Sequence, residues 1–106
     1  MGIFTEQLSG RYQAAKEAIS AIEEPLSGLV QQLGATYSCD FNAGSAWVNI
    51  HPEVRISLDR AAQALEAAFP AEQVERGEVT TSSFAQIRLQ RGAQTMPAYV
   101  TVFAAL

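Results

Sequence analysis

The sequence predicts an α+β domain in α-ββ-α-ββ order: a four-stranded antiparallel sheet with a long kinked N-terminal helix and a second helix packed on one face. Three observations carry the prediction. Apolar residues recur at helical spacing over the first third of the chain. Two later stretches alternate apolar and polar residues in pairs separated by turn-forming segments. A shorter helical stripe, closed by Pro70, lies between those pairs.

The first helix rests on Leu8, Tyr12, Ala15, Ile19, Ile22, Leu26, Leu29 and Leu33, which alternate three- and four-residue spacings in a heptad seam. Thr5 is its candidate N-cap and Gly34 its candidate C-cap. Pro25 falls opposite the seam and predicts an outward kink, or two abutting helices with Pro25 in the first turn of the second. The positions flanking the seam are Ala14, Ala21 and Gly28 on one side and Gln13, Ser20 and Ser27 on the other. None is charged, so the ion pairs that select a coiled-coil partner are missing, and packing within the domain is favoured.

Residues 36–50 predict a hairpin. Tyr37, Cys39 and Phe41 alternate with polar residues, Asn42-Ala43-Gly44-Ser45 supplies a four-residue loop, and Ala46, Val48 and Ile50 alternate in turn. One-sided packing requires Phe41 opposite Ala46, Cys39 opposite Val48 and Tyr37 opposite Ile50. The second helix starts at a cap on Ser57 or Asp59, carries Leu58, Ala62, Leu65 and Phe69 inward, and stops at Pro70. Residues 71–78 are charged and read as loop. The last strands are expected at 83–90 and 98–104, with Ala85, Ile87 and Leu89 sharing a face with Ala98, Val100 and Val102.

Composition narrows the function. The 106 residues form one domain, residues 1–106. They are 48% hydrophobic, enough for a core, and no apolar run approaches the length of a membrane helix. The start of the chain lacks a signal-peptide pattern, so a cytoplasmic location is expected. All eleven acids lie at or before Glu78, whereas residues 79–106 contain only Arg88 and Arg91. A net charge of −4 with a single lysine argues against direct binding to a nucleic-acid backbone, which requires clustered Lys and Arg.

Chemical motifs are sparse. Cys39 and His51 are the only residues of their types, and the hairpin register separates them too far for a nucleophile–base pair. His51-Pro52-Glu53 matches the His-x-Glu of zinc deaminases, but the paired cysteines of such a site are missing. No glycine-rich phosphate loop, nucleophile elbow or calcium loop occurs. No catalytic residue, metal site or cofactor is expected.

The informative feature is the second face of the sheet. If helices cover the aliphatic side, the other side carries Trp47, Phe84, Arg88, Tyr99 and Phe103, with Asn49, Gln86 and Thr101 between them. Aromatics with an arginine are the composition of a binding-patch centre, not of a solvated sheet face. These five residues are the candidate anchors for a protein partner or for self-association as a homodimer. Glu23, Glu24, Glu72, Glu75 and Glu78 are the candidate electrostatic contacts. The expected function is a non-enzymatic protein-interaction module. It would suit a phage or mobile-element accessory protein, either an inhibitor that presents acids to a nucleic-acid-binding complex or a virion component. Two other readings remain. One is a cofactor-independent enzyme or small-ligand binder with a pocket between helices and sheet, lined by Tyr12, Tyr37, Cys39 and Trp47. The other is a structural oligomerisation module using the heptad face.

Overall fold

The computed structural model describes residues 13–42, 44–90 and 96–105. Helices α1 (Gln13–Ser20) and α2 (Glu23–Leu33) precede strands β1 (Ala35–Asn42) and β2 (Ser45–Pro52). Helix α3 (Leu58–Ala68) leads to β3 (Glu75–Glu78), β4 (Ser83–Leu89) and β5 (Ala98–Ala104). The class is α+β, with three described helices over one side of a five-stranded mixed sheet.

Pro25 explains the break between the first two helices. Its nitrogen has no hydrogen to give to the carbonyl of Ala21, and its ring crowds that carbonyl. The chain closes α1 with Ala21 N–H to Glu17 O at 3.1 Å and a tighter Ile22 N–H to Ile19 O at 3.0 Å. Ile22 then acts as the N-cap of α2, which puts Pro25 in the first turn, where N–H groups lack intrahelical partners anyway. Two abutting helices thus replace one kinked helix. Gly34 ends α2 in the left-handed conformation, φ 55° and ψ 48°. Seam residues Leu8 and Tyr12 and the Thr5 cap lie outside the described residues.

The remaining seam, from Ala15 to Leu33, is buried at 7% exposure or less against the sheet. Helix α1 lies over β2 and β5, α2 over β1 and β2, and α3 over β4 and β5. Ser57 caps α3 by accepting the Arg60 N–H at 3.1 Å. Ala61, Ala62, Ala64, Leu65 and Phe69 are buried there. The alanines let the helix backbone lie close to β4 and β5.

The sheet corrects the sequence prediction in two respects. Strand order is β1-β2-β5-β4-β3, and β2 and β5 run parallel at its centre, so the sheet is mixed and not wholly antiparallel. The charged segment expected to be loop supplies the fifth strand, β3, antiparallel to β4. Its four residues carry Glu75, Arg76 and Glu78, the charged, short character that protects a sheet edge from further pairing. Within the first hairpin, Phe41 lies opposite Ala46, Cys39 opposite Val48 and Tyr37 opposite Ile50. Pairing continues to Asn42 and Ser45, leaving a two-residue connection in place of the four-residue loop.

Candidate functional site on the open sheet face

Side chains alternate across every strand, so the register fixes what shares the face opposite the helices. Three cross-strand rows result. The first runs Asp40, Trp47, Tyr99, Arg88 across β1, β2, β5 and β4. The second runs Ser38, Asn49, Thr101, Gln86, Glu75, reaching β3. The third places Thr36 beside His51 on β1 and β2, and Phe103, Phe84 and Gly77 on β5, β4 and β3.

Aromatic contacts run along the outer rows. Trp47 and Tyr99 stack with centroids 4.2 Å apart and planes 13° from parallel. His51 stacks on Phe103 at 4.7 Å, and Phe103 meets Phe84 tilted at 6.4 Å. Phe84 extends over Gly77, where a Cβ would come within 2.5 Å of the ring. The polar row is bonded within itself and to the first row. Gln86 Nε2 donates to Thr101 Oγ1 at 2.8 Å, and Asn49 Nδ2 donates to Asp40 Oδ2 at 3.1 Å. Between the aromatic rows lies a depression of about 140 Å³ whose rim includes Trp47, Phe84, Thr101 and Phe103.

The five candidate anchors therefore share one face. Trp47, Phe84, Tyr99 and Phe103 are half-buried, and Arg88 is exposed. Trp47 Nε1 is buried without a hydrogen-bond partner among the described residues. The Asp40 carboxylate opposite it is used by Asn49. His51 was not among the anchors named from sequence. Its place at the end of an alternating strand, in register with Trp47 and Asn49, is the signal that includes it.

The acids do not form one patch. Glu23 and Glu24 occupy the first turn of α2, where carboxylates complement the helix dipole, near β1. Glu72, Glu75 and Glu78 lie at the opposite end of the molecule, in and just before edge strand β3. Glu75 shares the open face, whereas Glu78 belongs to the helix side. One partner surface spanning both groups would have to cross the full width of the sheet.

The pocket reading also divides. Tyr37 and Cys39 point to the helix side and pack against the core, whereas Trp47 is on the open face. Tyr12 lies outside the described residues. Cys39 and His51 are on opposite sides of the hairpin, three residue pairs apart. Burial, then the charges of Asp40 and Glu23, push the Cys39 thiol up from 9.0 to about 11. The group is a packed thiol at neutral pH, not a thiolate nucleophile. Its protonated form is favoured in the folded state, so its stabilising contribution is complete below pH 9 and declines as pH rises toward 11. Urea midpoints of the natural chain should therefore fall more steeply over that window than those of Cys39→Ala. Parallel profiles would refute the assignment.

Among the described residues, no three His, Cys, Asp or Glu side chains converge as a metal site would require. No described helix is long and apolar enough to cross a membrane. Comparison with known proteins gives no match to a family model, a curated protein or a solved structure.

Proposed function

We propose that this chain is a non-enzymatic interaction module that docks a macromolecular partner, or a second copy of itself, on the open face of its sheet. The observation that carries the reading is the pair of aromatic rows, Trp47–Tyr99 and His51–Phe103–Phe84, on the side of the sheet away from all three described helices. A sheet face directed to water is ordinarily polar. Flat aromatic side chains supply large contact area at little cost in side-chain entropy, and aromatics with arginine dominate interface centres. The seam of α1 and α2, the other apolar surface legible in the sequence, is consumed by the chain's own core.

A photo-crosslinking residue installed at Arg88 and, separately, at Gln63 tests the proposal in the producing cell. Gln63 is exposed on α3, on the far side of the molecule. The expected result is a discrete crosslinked species from position 88 alone, lost when Tyr99→Ala is added. Equal crosslinking from both positions, or none from position 88, would overturn the proposal.

A further inference from the structure

The first row of the open face carries opposite charges at its two ends. Asp40 on β1 and Arg88 on β4 are both exposed, and Trp47 and Tyr99 lie between them. Each charge is held in place by a neutral neighbour. Asp40 accepts from Asn49 Nδ2 at 3.1 Å, and Arg88 NH2 donates to Gln90 Oε1 at 2.8 Å. Neither is in an ion pair among the described residues. Three strand spacings, roughly 14 Å, separate their backbones, so they do not pair within one chain.

We infer that the occupant of this face is a second copy of the chain, related by a twofold axis running parallel to the strands between β2 and β5. This rests on the docking reading above. The axis exchanges β2 with the partner's β5 and β1 with the partner's β4. Asp40 then faces the arginine of the other copy and Arg88 its aspartate, giving two symmetric ion pairs. Between them the Trp47 and Tyr99 rings of one copy lie against those of the other.

Two in-plane axes could bring the faces together, and charge chooses between them. The alternative axis, perpendicular to the strands, puts Asp40 against the polar Thr36 position and Arg88 against the Phe84 ring. That arrangement leaves both charges unmatched. Twist permits this arrangement without deciding it: a half-turn about either in-plane axis returns a twisted surface of the same hand, so the four overlapping strands of each copy nest in an aligned packing. Edge strand β3 has no counterpart beyond β1, so Glu75 lies outside the overlap.

Sedimentation velocity over a range of concentrations, with circular dichroism to monitor folding, tests the arrangement. The natural chain is expected to dimerise, more weakly as salt rises. Arg88→Glu and Asp40→Arg, both at exposed positions, are each expected to raise the dimer dissociation constant by roughly 10- to 100-fold while leaving the far-ultraviolet spectrum unchanged. The double variant Asp40→Arg/Arg88→Glu should recover dimerisation. An equimolar mixture of the two single variants should form heterodimers, because every pair across that interface again has opposite sign. A monomeric natural chain, or a dimer indifferent to the charge reversals, would overturn the inference. In either case a crosslink from position 88 to a different protein would leave the docking reading intact. Loss of that crosslink as well would remove both.

Discussion

Val100→Asp is expected to cost at least about 4 kcal/mol at neutral pH, a large share of the stability of a domain this size. Val100 is fully buried at the centre of β5, paired with Val48 of β2 on one side and Ile87 of β4 on the other. A carboxylate there loses its hydration and meets only apolar side chains on the helix-covered side. Its neutral form is favoured in the fold, which raises its pKa above the ordinary value of about 3.9. The penalty relative to the natural chain is therefore greatest at neutral pH and should shrink as pH falls toward 4. Urea unfolding of both chains from pH 7 to pH 4 measures it. A loss below about 1 kcal/mol, or one independent of pH, would contradict the burial of this strand.

The second large effect is expected at the end of α3. Phe69 is the bulkiest of the fully buried side chains and is 2% exposed. It is the C-cap of the helix, and its N–H reaches Leu65 O at 2.8 Å. Phe69→Ala should lower stability by about 3–5 kcal/mol, because the transfer energy of the ring is lost and a cavity remains beneath the helix. Phe69→Leu retains the backbone bond and much of the volume, so it should lose distinctly less. Thermal or urea unfolding separates the two, and equal losses would mean that the ring fills no core space. The neighbouring alanines make the cavity hard to close, since Ala61, Ala62 and Ala64 already bring the helix near the sheet.

The features legible in the sequence are those encoded locally. Pro25 announces a helix break, because its missing donor acts within one turn. The pairing of Cys39 with Val48 follows from alternation together with the short connection after Phe41, as a one-residue slip would turn Tyr37 and Cys39 away from the core and a two-residue slip would change the loop length. The four aromatics and Arg88 on the open face follow from the same alternation. The parallel contact of β2 with β5 is different in kind. Val48 and Val100 show the same apolar alternation whether their strands run parallel or antiparallel, so nothing local distinguishes the two. Strand β3 was hidden for another reason. An edge strand of Glu75, Arg76, Gly77 and Glu78 pairs through its backbone and shows no hydrophobic pattern. The stack of His51 on Phe103 likewise joins residues whose proximity depends on that long-range parallel pairing.

The position of β5 also governs when this fold is able to form. The strand at the centre of the sheet is the last of the described strands in sequence order, held on one side by β2 and on the other by β4. On the ribosome, β1 and β2 emerge early with their helices, and then wait through α3, β3 and β4 without a central neighbour. Synthesis proceeds at roughly 5–20 residues per second, so the interval lasts some seconds. Throughout it, the inner edge of β2 carries backbone groups and apolar residues such as Val48 and Ile50 that only β5 will cover. The sheet is thus joined at its centre by the last strand of this order to be made, and a nascent chain stopped short of Ala98 would expose an edge whose Val48 and Ile50 are fully buried in the folded protein.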